Sequence, residues 1–152
     1  NADIGYLWRR EDCVWIPGAP AAIRLFNERG WRVVVITNQS GVARGYYREE
    51  DVRVLHEWMT TELHQLGARI DAFYFCPHHP KGAITAYTRE CDCRKPQPGL
   101  ILQAMADWRA DPLASLLIGD KDSDVAAAEA AGIRGYLFDG SNLLDFVKKI
   151  LQ

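Results

Sequence analysis

An α/β fold with a mainly parallel sheet is the architecture this sequence predicts, and three observations predict it. Apolar runs rich in β-branched residues alternate with segments of helical period. Glycines stand where two of the helical patterns stop, at Gly30 and Gly67. Thr37, Cys76 and Asp120 each close or follow a strand-like run, which is where open parallel sheets gather their sites.

The elements follow in order. Gly18 to Arg29 reads as a helix with Ile23 and Phe26 on its buried side and Gly30 as its stop. Arg32 to Thr37 reads as a buried strand because β-branched side chains suit a packed pleated surface. A loop over Asn38 to Arg48 leads to a long helix from Glu49 to Leu66. Glu49, Glu50 and Asp51 favour its start by opposing the positive end of the helix dipole. Val52, Leu55, Met59, Leu63 and Leu66 keep the spacing of one buried face, and His56 and His64 read as surface or partly packed. Ala72 to Phe75 is a short strand. Gly99 to Trp108 is a helix with Pro98 near its start. Ser115 to Ile118 is a second buried strand, and a helix follows from about Ser123 to Ala131. Arg134 to Phe138 is the last strand, and Leu143 to Leu151 the closing helix.

The 152 residues point to a single domain over 1–152, long enough to bury ~70% of its unfolded surface. A net charge of −2 and the lack of a long basic run argue against broad binding to nucleic acid or an anionic membrane. No apolar stretch approaches a membrane span and no signal peptide opens the chain. Three of the four cysteines cluster with histidine, so metal binding in a reducing cytoplasm is expected rather than a disulfide framework. The fourth, Cys13, reads as a packing thiol. The tryptophans read as packing residues, not as platforms for bases.

Cys76-Pro77-His78 and Cys91-Asp92-Cys93 place their ligands two residues apart, on one side of an extended segment. Two such pairs close a tetrahedral site of the thiolate and imidazole ligands that zinc prefers, and four protein ligands make it structural. His79 would point away and reads as a loop residue. The zinc loop runs directly into Arg94-Lys95-Pro96, two cations in a stiffened turn before a helix start, which suits an anion. Thr37-Asn38-Gln39-Ser40-Gly41 offers a hydroxyl and backbone amides at a strand end, which suits a phosphoryl group or an ordinary polar turn. Leu117 to Asp124 is a buried strand ending in carboxylates. Asp120 suits Mg²⁺, a cation that takes oxygen ligands, while Asp122 or Asp124 suits capping, and Asp124 also the orientation of Lys95.

Taken together, these motifs resemble the haloacid dehalogenase (HAD) superfamily of phosphatases. The segments TNQSGVARG, CPHHP, CDCRKP and GDK resemble its D-glycero-D-manno-heptose-1,7-bisphosphate 7-phosphatase family over nearly the whole chain. The related histidinol-phosphate phosphatases share the zinc loop. Ser40 to Gly45 and the pair His78-His79 favour the heptose side. Loops between elements are short apart from the zinc loop, so no large cap domain is expected and the zinc loop is left to shape specificity. The resemblance implies a Rossmann-like three-layer fold. It implies Mg²⁺-dependent hydrolysis through an aspartyl-phosphate, in heptose and lipopolysaccharide precursor biosynthesis. It assigns Thr37 and Lys95 to the transferring phosphoryl group and Asp120 to Mg²⁺. Cys76, His78, Cys91 and Cys93 would bind zinc. Asp3, Gly5, Tyr6, Asn38, Gln39, Ser40 and Arg94 would contact substrate. The partner is a small sugar phosphate, and the expected state is a monomer.

The resemblance also implies a first motif, a central strand ending in D-x-D-G that carries the nucleophile and the acid/base. It would stand just before Asn1, and Leu137-Phe138-Asp139-Gly140 is no substitute because its first position is leucine. The expectation is an N-terminally incomplete sequence, with two interior sheet edges left unpaired where that strand belongs. A chain complete without the motif would be inactive, a zinc-stabilised sugar-phosphate-binding relative. Histidinol phosphate is the alternative substrate.

Overall fold

The computed structural model describes residues 8–9, 14–38, 49–76 and 95–152. A short antiparallel ribbon comes first, β1 (Trp8–Arg9) against β2 (Val14–Trp15). It is absent from the sequence reading, because two residues per strand leave no alternation to detect. Helix α1 (Ala19–Glu28), strand β3 (Val34–Asn38), helix α2 (Glu49–Gln65) and strand β4 (Ala72–Cys76) follow. Then come α3 (Gly99–Trp108), a 3₁₀ turn (Pro112–Ala114), β5 (Leu116–Gly119), α4 (Asp122–Ala130), β6 (Arg134–Leu137) and α5 (Leu143–Ile150).

After the ribbon, strands alternate with helices, and β3–β4 and β5–β6 pair in parallel, as predicted. In the β3–β4 register Val35 lies beside Phe73 and Asn38 beside Cys76; in the β5–β6 register Gly119 lies beside Leu137. Strand alternation divides the side chains into two apolar layers. On one face Val35 packs with Ile23 of α1 and with Met59 and Leu63 of α2, while Ile118 packs with Ala22 of α1 and with Leu143 and Val147 of α5. On the other, Ile36 and Leu117 pack with Leu100, Ile101 and Ala104 of α3 and with Ala127 and Ala128 of α4. Helices on both faces of a parallel sheet make three layers.

The sheet is not continuous among the described residues. Strand β3 pairs with β4 and β5 with β6, and no ladder joins β3 to β5. Cavities lie on both faces of the space between them. One of about 430 Å³ has Val34, Ile36, Leu117 and Ile101 in its wall; one of about 70 Å³ has Val33, Val35, Ile118 and Phe138.

The buried face of α2 departs from the reading at two positions. Val52, Met59 and Leu63 are buried as expected, but Leu66 is 50% exposed, one residue past the helix end, where the chain turns at Gly67 (φ 76°). His56 takes a core position instead, stacked on Phe73. It stands four residues after Val52 and three before Met59, which is the core-facing spacing. Asn27 ties α1 to the approach to β4: its Nδ2 donates to the Arg69 carbonyl (3.0 Å), and its Oδ1 accepts from the Arg69 amide (2.7 Å). Asp71 accepts from the Val33 amide at 2.8 Å and sets where β3 and β4 begin to pair.

Candidate active site

Each expected site residue with described coordinates lies at or just beyond the carboxyl ends of β3, β4 and β5, or in the turn that reaches them. Thr37 and Asn38 are the last residues of β3, in register with Phe75 and Cys76. Cys76 is fully buried at the end of β4 and is not in a disulfide. Asp120 follows the last residue of β5 and is exposed. Asp3, Gly5, Tyr6, Gln39, Ser40, His78, Cys91, Cys93 and Arg94 lie outside the described residues.

Lys95 is the centre of what is described. Its ammonium lies 2.6 Å from Asp124 Oδ1, with the two side chains 3% and 0% exposed. The contact is a close, buried ion pair. Lys95 Nζ also donates to the Ile36 carbonyl at 3.5 Å. One cation therefore bridges the end of β3 and the start of α4. Asp124 Oδ2 accepts from the Lys121 amide at 3.1 Å, closing the first turn of α4 as a capping residue does. Both roles foreseen for Asp124, capping and orienting Lys95, are present in one carboxylate.

Gly119 makes that arrangement possible, and the sequence reading passed over its role. A Cβ there would stand 2.7 Å from Asp124 Oδ2 and closer still to Asp124 Cβ. Only a residue without a side chain lets the carboxylate pack onto the strand end. The signal was in the sequence as the glycine before Asp120. What it makes room for lies five residues on, across the strand-to-helix turn. The Ile36 carbonyl was also missed, and no side-chain pattern could have disclosed it.

The donor chemistry fits the implied metals. Asp120 offers a hard carboxylate at an exposed strand end, as Mg²⁺ requires, while Asp124 is committed to Lys95 and to the Lys121 amide. Cys76 offers a thiol at the position expected for a zinc ligand. Among the described residues no three His, Cys, Asp or Glu side chains gather around one point.

Comparison with known proteins agrees with this geometry. A HAD-hydrolase-like family model matches residues 92–141, a span that holds Lys95, Gly119, Asp120 and Asp124. A D-glycero-β-D-manno-heptose-1,7-bisphosphate 7-phosphatase of Rhodopseudomonas palustris is 52% identical over 151 residues, covering 99% of this chain and 84% of the relative. The chain belongs to the heptose-1,7-bisphosphate 7-phosphatase family of the HAD superfamily. The Escherichia coli K12 member of this family is 41% identical over 133 residues, 88% of this chain and 70% of that one. Among solved structures, a D,D-heptose 1,7-bisphosphate phosphatase from B. bronchiseptica, complexed with magnesium and phosphate, superposes with a TM-score of 0.81. It is 27% identical and the match covers 99% of this chain and 90% of that one. The Burkholderia thailandensis phosphatase of the same name gives a TM-score of 0.66 at 25% identity, with 99% and 96% coverage.

Proposed function

We propose that this chain removes the 7-phosphate of D-glycero-D-manno-heptose 1,7-bisphosphate, a step in making heptose precursors of lipopolysaccharide. The observation that carries the reading is the Lys95–Asp124 pair at the sheet edge, in a chain 52% identical to a phosphatase of that name. A buried ammonium held at fixed position suits the charge that develops on a transferring phosphoryl group. Asp124 aims the Lys95 ammonium, and the Ile36 carbonyl fixes its second direction. Thr37 follows Ile36 near the end of the same strand and would offer a hydroxyl and a backbone amide there. Arg94, beside Lys95 in sequence, would grip the substrate together with Asn38, Gln39 and Ser40, and Asp3, Gly5 and Tyr6 would line the sugar pocket.

Asp120 would hold magnesium, which when bound offsets negative charge on the phosphoryl oxygens. Cys76, His78, Cys91 and Cys93 would hold zinc and shape the loop that delivers Arg94 and Lys95. The nucleophile of this chemistry is the first aspartate of a D-x-D-G motif. The space between β3 and β5, walled by Val34, Val35, Ile36, Leu117 and Ile118, is the seat we assign to the strand that carries it. The chain then forms one HAD-like domain, working as a cytoplasmic monomer. No helix among the described residues is long and apolar enough to cross a membrane.

The deciding assay measures phosphate release from both anomers of heptose 1,7-bisphosphate and from histidinol phosphate, with Mg²⁺, on a chain carrying D-x-D-G ahead of Asn1. Faster turnover of a heptose bisphosphate, lost in Lys95→Met, is the expected result. Faster turnover of histidinol phosphate would move the chain to the sister activity. Sugar-phosphate binding without any release would make it a binding protein.

A further inference from the structure

His56 is a buried titratable group that the proposed chemistry does not use. It lies on the core face of α2 and is 7% exposed. Its imidazole stacks on Phe73 of β4 with ring centroids 4.1 Å apart and planes 13° apart, and meets Phe75 edge-on at 6.0 Å. Its Nε2 has no hydrogen-bond partner among the described residues. We propose that His56 is an acid-sensitive latch: its neutral ring holds α2 against β4, and protonation loosens that contact.

The charges around the ring carry the argument. Helix α2 contributes Arg53, whose guanidinium lies over Phe75 at 5.6 Å. Strand β4 contributes only the aromatic faces of Phe73 and Phe75. A protonated imidazole would be a second cation there, desolvated and with no described carboxylate against it. Burial first, and then Arg53, pull the His56 pKa from 6.5 down to about 4. The unfolded chain therefore takes up this proton near 6.5 and the folded chain only near 4. The stability that His56 contributes is complete above pH ~6.5 and is lost as pH falls toward 4.

The contact bears on the proposed site through register. Phe73 and Phe75 lie beside Val35 and Thr37 of β3, and β4 ends at Cys76. An α2 helix that loosens from β4 also loosens the strand ends that carry Thr37 and Cys76. The effect on turnover rests on the phosphatase reading; the latch does not.

Two measurements on the full chain test it. In an NMR titration the His56 imidazole, assigned by its absence in His56→Phe, should stay neutral well below pH 6. Titration near 6.5 in the folded protein would overturn the proposal. In urea unfolding between pH 7 and 4.5, the unfolding constant should rise roughly a hundredfold more in the natural chain than in His56→Phe, which keeps the stack and removes the proton site. Identical pH dependence in the two chains would also overturn it. If His56→Phe does not fold, His56→Leu supplies both the assignment and the unfolding comparison. Should the phosphatase reading fail instead, turnover is absent at every pH while both results stand.

Discussion

Lys95 Nζ stands 2.6 Å from Asp124 Oδ1, in a site where neither side chain reaches solvent. The two residues come from opposite sides of the chemistry, one from the turn after the expected zinc loop and one from the first turn of α4. Two desolvated charges are tolerable only together. The pair therefore couples the stability of the fold to the charge needed on phosphate.

Breaking the pair from either side should cost more than removing both charges. Lys95→Met and Asp124→Asn should each destabilise the protein by roughly 3–5 kcal/mol, and the double variant by less than their sum. Urea unfolding of the four chains gives the coupling energy. Where the variants fold, phosphate release by Lys95→Met should fall by about 10²–10³. Additive stabilities would mean that the pair carries no coupling.

Gly119→Ala should disturb the same site from below. Its new methyl group would collide with Asp124, at a cost of about 1–3 kcal/mol and with a loss of activity. Gly135→Ala, where the nearest atom would be Ala128 Cβ at 3.1 Å, should be milder and should leave turnover intact. Thermal unfolding and steady-state kinetics on the two variants make the comparison.

In the core, Met59→Ala should cost about 2–5 kcal/mol, because Met59 is fully buried between Ile23, Val35 and Leu63. Leu66→Ala should stay within about 0.5 kcal/mol despite the similar chemistry, because Leu66 is half exposed. Denaturant midpoints at constant slope would check both.

The zinc assignment is open to direct metal analysis. Cys76→Ser and Cys93→Ser should each lower bound zinc below one per chain and reduce turnover, while the magnesium requirement is unchanged. Full zinc content in both variants would remove the structural-zinc account.

Magnesium has its own test at Asp120. Chelation should abolish phosphate release, and added Mg²⁺ should restore it. Asp120→Asn should raise the Mg²⁺ concentration needed, leaving zinc content as it was.

The sequence by itself determined the elements of local origin. The β-branched run at Val33 to Ile36, the acidic start of α2 at Glu49 to Asp51 and the stop at Gly67 act through neighbours a few residues away. Those segments fell within one or two residues of their predicted bounds. Parallel pairing was legible too, since helices between strands leave room for crossovers. The clustering of Thr37, Cys76 and Asp120 at one edge followed from that pairing. The tertiary structure alone decided the rest. Whether Asp124 reaches Lys95, 29 positions away, depends on how α4 docks on β5 and on the space that Gly119 leaves. His56 and Leu66 exchanged their expected environments because burial is set by what packs opposite each residue.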